Sequence, residues 1–209
     1  MDYKDKLPKA TKARLVQLNN LLSSWSTPKI TTKEISIATG WKGSLVRHDL
    51  FLVNKNSNDS QNHTTVRGVK NGYNVEELLK LLSSILEAQP LNCCIVGLGR
   101  LGAALLDENL VLGTNFHIKA GFDSNINRVE ILRSTFPLYP ANEMQYIIKR
   151  EDIDYAILTV SDTQALQMAE RLVLANIKGI VNMTNVVLPV PETVKVENLS
   201  IRNALQLVI

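Results

Sequence analysis

The sequence predicts an α/β chain of two parts: an N-terminal domain of winged helix-turn-helix type, then a Rossmann-like doubly wound parallel sheet ending in a C-terminal helix. Three observations predict it. The charge divides near Pro90: from Lys6 to Lys70 eleven Lys or Arg face three acids, a net of +8, whereas from Leu91 onward ten basic residues meet twelve acidic ones, a net of −2. Before that point, apolar residues recur at helical spacing in segments separated by a glycine turn. After it, an apolar run passes directly into Gly97-Leu98-Gly99-Arg100-Leu101-Gly102, and strand and helix patterns then alternate. The expected boundaries are 1–90 for the first domain, 91–196 for the second and 197–209 for the terminal helix.

In the first part, Leu15, Leu18 and Leu22 mark a helix that ends between Trp25 and Pro28. Thr31 and Glu34 have the spacing of a capping box and open a second, short helix that Gly40 stops. Ser44 is the expected N-cap of a third helix from Leu45 to Leu52, with Arg47 and His48 on its polar side. Helix, helix, glycine turn, helix is the order in which a third helix enters the DNA major groove. The net charge of +8 suits a polyanionic partner. The polar stretch Asn54 to Asn71 reads as the wing, a hairpin whose Arg67 and Lys70 suit phosphates or a narrow minor groove. Asn74 caps a fourth helix with a wide leucine face, which Pro90 closes.

In the second part, a strand over Cys93 to Val96 meets the glycine motif and a helix, Ala103 to Glu108. Gly97 permits the tight turn, Gly99 admits a pyrophosphate to the backbone, and Gly102 lets helix pack on strand. A strand from Phe116 to Phe122 ends in Asp123, about twenty residues past Gly102, where a carboxylate accepts hydrogen bonds from an adenosine ribose. That carboxylate repels a 2′-phosphate and so favours NAD(H); Arg128 argues weakly the other way. Helices at Ala141 to Arg150 and Thr163 to Ala175 alternate with strands at Tyr155 to Val160 and Gly179 to Asn182, which predicts a parallel sheet.

Composition narrows the function classes. A chain of 209 residues, 45% hydrophobic and 21% charged, reads as globular. Its two cysteines, Cys93 and Cys94, are adjacent in a strand, so they read as reduced core residues of a cytoplasmic protein. His48, His63 and His117 have no metal-binding spacing, so no metal is expected. No catalytic residue is expected either: past Gly102 the chain is used up in completing the sheet, and Ser161-Asp162 reads as a helix cap. An NAD-dependent oxidoreductase is therefore a remote alternative.

The two parts together resemble one bacterial family, the redox-sensing transcriptional repressor Rex, over almost the whole chain. The strings that carry the resemblance are Pro8-Lys9-Ala10-Thr11 with Arg14-Leu15, Val46-Arg47-His48-Asp49-Leu50, Arg67-Gly68-Val69, and Gly72-Tyr73-Asn74-Val75-Glu76-Glu77-Leu78. In the second part they are Gly97 to Gly102, Phe122-Asp123, Ala156-Ile157-Leu158-Thr159-Val160, and Ala175-Asn176-Ile177-Lys178-Gly179-Ile180. The resemblance implies a homodimer that binds a palindromic operator, is released by NADH, and exchanges a C-terminal helix matched here by Leu199 to Ile209. It places Ser44, Arg47, His48 and Arg67 on DNA; Lys42 and Lys70 complete the set of candidate DNA-binding residues. Gly97, Leu98, Gly99, Arg100, Leu101, Gly102 and Asp123 fall on the dinucleotide.

The departures from the family fall at its switch. Leu18 and Asn20 stand where the family has Tyr and Arg, Ser200 where it has the Asp that meets this Arg, Glu108 where it has Tyr, and Ser161 where it has Pro. Lys70-Asn71 lengthens the wing. Losing both members of an ionic pair costs less than orphaning one, so the fold survives their loss. The departures imply a divergent member, with a DNA-binding regulator of the same fold but weak or absent NADH response as the alternative.

Overall fold

The computed structural model of the chain describes residues 7–58, 72–86, 90–107, 111 and 114–209. Two compact units divide it, Met1–Ala88 and Gln89–Ile209. In the first, Leu15, Leu18 and Leu22 form the buried face of α1 (Lys9–Ser23). A short ribbon follows, in which β1 (Lys29–Ile30) pairs antiparallel with β2 (Tyr73–Asn74). The capping box forms at the start of α2 (Thr32–Thr39): Glu34 N–H donates to the Thr31 hydroxyl at 3.2 Å, and Thr31 N–H donates to the Glu34 carboxylate at 2.7 Å. Gly40, at φ +73°, ends the helix in the left-handed conformation that glycine adopts without strain.

Helix α3 spans Gly43–Asn58, longer at both ends than the leucine pattern predicts. Val46 N–H donates to the Lys42 carbonyl at 3.2 Å, so Lys42, and not Ser44, occupies the cap; Ser44 sits exposed in the first turn. Residues 54–58 of the stretch expected to be a hairpin instead continue the helix, although they are all polar. The remainder of that stretch, with Arg67 and Lys70, lies outside the described residues. Helix α4 (Val75–Leu86) begins as expected, with Glu77 N–H donating to the Asn74 side chain at 3.1 Å. It packs on α1 and α3, and Leu78, Leu81 and Leu82 close the core with Leu22, Ile35 and Val53.

The second unit is built on a six-stranded parallel sheet in the order β5-β4-β3-β6-β7-β8. Its strands are β3 (Leu91–Val96), β4 (Phe116–Asp123), β5 (Leu138–Pro140), β6 (Tyr155–Leu158), β7 (Gly179–Asn182) and β8 (Lys195–Asn198). Its helices are α5 (Arg100–Ala104), α6 (Ile126–Ile131), α7 (Met144–Arg150), α8 (Asp162–Leu174) and α9 (Ile201–Gln206). The strand order reverses beside β3, which leaves a crevice at the carboxyl ends of β3 and β6. β8 runs past residue 196, so the sheet claims two residues beyond the expected boundary.

Helix α5 starts three residues earlier than its alanine and leucine pattern suggests and is only five residues long; residues 108–110 fall outside the description. Cys94 belongs to the core of Phe122, Met144, Leu158 and Leu172, and Cys93 faces the smaller cluster of Ile95, Leu98 and Ile118. Burial pushes the Cys93 thiol up to about 11 and raises that of Cys94 as well, so both are unreactive thiols at neutral pH. No helix among the described residues is long and apolar enough to cross a membrane.

Candidate functional site

The first candidate surface is the outer face of α3. Lys42, Ser44, Arg47 and His48 are all exposed, while Val46, Asp49 and Leu50 point inward. Asp49 is only 3% exposed, a position at which a carboxylate needs partners. It has three bonds from α1: Arg14 Nε at 2.6 Å, Arg14 Nη2 at 2.9 Å and the Thr11 hydroxyl at 3.1 Å. The bidentate fork fixes both the spacing and the rotation of α3 against α1. A buried acid at the centre of the helix thus aims Arg47 and His48 outward. The resemblance strings contain Thr11, Arg14 and Asp49, but their i+35 and i+38 separations gave no local signal that they meet.

The second candidate site is the crevice beside β3. Gly97, at φ +99°, holds the turn, and a Cβ there would lie 2.7 Å from Val160. Gly102 lies against the turn so closely that a Cβ would overlap the Gly97 carbonyl oxygen. Gly99 is different: nothing lies within 4 Å of where its Cβ would be, so it faces open space. The first intrahelical bond of α5 runs from Ala103 N–H to the Gly99 carbonyl at 2.8 Å, which leaves the preceding N–H groups at the helix mouth. Arg100 and Leu101 carry exposed side chains there, whereas the Leu98 side chain is buried in the core.

Asp123 is where β4 delivers it, but its carboxylate is more committed than the ribose expectation implies. One oxygen accepts Leu98 N–H at 2.6 Å and Arg128 Nη1 at 3.3 Å; the other accepts Asn125 N–H at 2.7 Å. The acid therefore braces the glycine turn from the neighbouring strand, and Arg128 partly neutralises it. Both residues still line a cavity of about 270 Å³ with Gly97, Gly99, Ser124 and Thr159. A carboxylate has about four acceptor sites, so its three bonds leave room for one more donor.

Thr159 is a site residue that sequence reasoning did not single out. Its hydroxyl donates toward the Gly97 carbonyl at 2.6 Å and lies 3.1 Å from that of Val96, clamping the turn from β6. Its position one residue past β6, across the reversal of strand order, was the available signal. Ser161 precedes α8 as a cap residue, though its hydroxyl makes no cap bond, and Asp162 accepts two bonds from Asn185. At the switch positions, Asn20 is exposed on α1, Ser200 caps α9 by accepting Asn203 N–H at 3.4 Å, and Glu108 lies outside the described residues.

Comparison with known proteins covers both sites at once. A family model described as a CoA binding domain matches residues 88–186. The redox-sensing transcriptional repressor Rex of Limosilactobacillus reuteri is 35% identical over 98% of this chain and 92% of its own length. That of Lactiplantibacillus plantarum is 34% identical over 98% of this chain and 88% of its own length. Among solved structures, RSP, a Rex-family repressor, superposes with a TM-score of 0.79 at 30% identity, covering 97% of this chain and 93% of RSP. RSP in complex with NAD+ and operator DNA superposes with a TM-score of 0.82 at 29% identity, covering 97% and 90%. With identity at this level along its whole length, the chain belongs to the Rex family of redox-sensing transcriptional repressors.

Proposed function

We propose that the chain is a DNA-binding transcriptional repressor that reads the NADH/NAD+ balance, NADH weakening its hold on the operator. The observation that carries this is the likeness, over 97% of the chain, to a structure containing both NAD+ and operator DNA. The alternative of a regulator with weak or absent NADH response is not favoured, because redox-sensing repressors match along the full length despite Asn20, Glu108 and Ser200. The chain acts by binding and not by turnover: the curated relatives are repressors.

On the DNA side, Ser44, Arg47 and His48 face base edges, and Lys42, Arg67 and Lys70 face phosphates. On the nucleotide side, the turn from Gly97 to Gly102 takes the pyrophosphate, through the first-turn N–H groups and the open space at Gly99. Asp123 accepts from the adenosine ribose with its remaining lone pair. NAD(H) and coenzyme A share an adenosine diphosphate, so the family model and this assignment ask the same thing of the crevice. The protein is a homodimer, which calls for a palindromic operator with half-sites about one helical turn apart. Segment 197–209 is exchanged between protomers: Ile201, Leu205, Leu207, Val208 and Ile209 are all more than 60% exposed, as apolar residues awaiting a partner surface would be.

Two results are expected. Arg47→Ala costs roughly 1–3 kcal/mol of operator affinity if it pairs with a guanine; fluorescence anisotropy on a selected duplex reads this, and an unchanged Kd removes Arg47 from the base contacts. Asp123→Ala lowers dinucleotide affinity; isothermal titration with NADH and NADPH checks it, and equal affinity in wild type and variant contradicts the ribose assignment.

A further inference from the structure

The exposed residues of α3 between Ser44 and Val53 are Ser44, Arg47, His48 and Phe51, spaced i, i+3, i+4 and i+7. That spacing puts them in one stripe along the helix. Three of them are polar, as a face turned to water should be. Phe51 is not, and it is 63% exposed, although its neighbours Leu50 and Val53 are 4% and 0% exposed. A single exposed apolar side chain needs no explanation by itself. Its place in this stripe supplies one. The third helix of a homeodomain carries its base-reading side chains at the same spacing, so a side chain two turns into such a helix still reaches the bases.

Resting on the DNA-binding reading above, we propose that Phe51 is a further base-reading residue, its ring packing on the C5-methyl group of a thymine in the major groove. Thymine methyls are the apolar feature that groove offers, and contact with them is the readout open to a phenylalanine. Charge points the same way. Arg47 and His48 flank Phe51, and the one acid on this part of the helix, Asp49, is buried against Arg14. The stripe is therefore free of exposed acids and suits a polyanion. Phe51 is four residues past Arg47, about 6 Å along the helix axis. At about 3.4 Å per base, its thymine lies roughly two steps from the base that Arg47 reads.

The test uses the full-length chain and a pool of random duplexes. Wild type enriches a palindrome with a thymine in each half-site, roughly two steps from the position whose preference Arg47→Ala relaxes. Phe51→Ala and Phe51→Ser enrich the same palindrome without that thymine, and Phe51→Leu, which keeps an apolar tip, retains it. Replacing the thymine by uracil removes only the methyl group. It should weaken wild type about 4-fold per half-site, the worth of one buried methyl, and leave Phe51→Ala unaffected. Identical selections by wild type and Phe51→Ala, or an equal uracil effect on both, overturn the proposal while leaving the DNA-binding reading intact. A lowered melting temperature for Phe51→Ala with unchanged selection overturns it as well, by placing the ring inside the protein's own packing. If wild type enriches no sequence, the DNA-binding reading fails and takes this proposal with it.

Discussion

Asp49→Ala lowers the stability of the first unit by roughly 2–3 kcal/mol, because it orphans the Arg14 guanidinium and leaves the Thr11 hydroxyl without its acceptor. The loss falls at or just below the bottom of the range for a fully buried pair, since the Arg14 side chain is 20% exposed and water reaches part of it. That is a large share of the stability typical of a domain this size. The measurement is simple here because both tryptophans, Trp25 and Trp41, lie in the first unit. Tryptophan fluorescence during urea unfolding therefore reports that unit. The double variant Arg14→Met with Asp49→Leu should recover most of the loss, since no charge is then left unpaired. If Asp49→Ala alone unfolds at the wild-type urea concentration, the fork does not hold α3 in place.

Gly102→Ala has the second large effect, and its sign is the reverse of the usual one. Alanine in place of a helical glycine normally stabilises by up to about 1 kcal/mol. Here the new methyl overlaps the Gly97 carbonyl oxygen and lies 2.8 Å from the Thr159 hydroxyl, so the turn and its clamp must both move. The overpacking costs roughly 1–3 kcal/mol, and dinucleotide affinity falls with it. Gly99→Ala separates the two effects. With nothing within 4 Å of its Cβ and φ at −68°, the substitution leaves stability nearly unchanged, yet it still blocks the approach of a pyrophosphate. Equal nucleotide affinity for wild type and Gly99→Ala contradicts the placement of the phosphates on this turn.

What the sequence showed plainly were the elements with strong local chemistry. The capping box of Thr31 and Glu34, the glycine stop at Gly40 and the cap at Asn74 each formed as their spacing implied. β7 runs over Gly179–Asn182 as its pattern indicated. The elements missed were short or polar. β5 is three residues with a proline, and β8, Lys-Val-Glu-Asn, has one apolar side chain; each is an edge strand, held by a single neighbour. α6 has no buried residue to create a period. The end of α3 was hidden by asparagines that read as a turn, and its start was displaced because Lys42, at the cap position, has no side-chain oxygen to accept a first-turn N–H and so leaves no capping signature.

At the site, the glycines were legible because their roles are steric and local. The bonds that hold the turn were not: the Asp123 bond to Leu98 and the Thr159 bond to Gly97 span 25 and 62 residues and exist only once the strands are side by side. The same holds for Asp49 and Arg14.

Coupling between the two sites is tested most directly by the affinity of the full-length chain for its selected palindromic duplex, titrated with NADH and with NAD+ at constant salt. A coupling of roughly 1–3 kcal/mol, typical of linked sites, predicts that saturating NADH raises the apparent Kd by about 5- to 150-fold while NAD+ does not. The Asp123→Ala variant should then need more NADH for the same shift. An operator affinity that is the same at saturating NADH as without it would contradict the account.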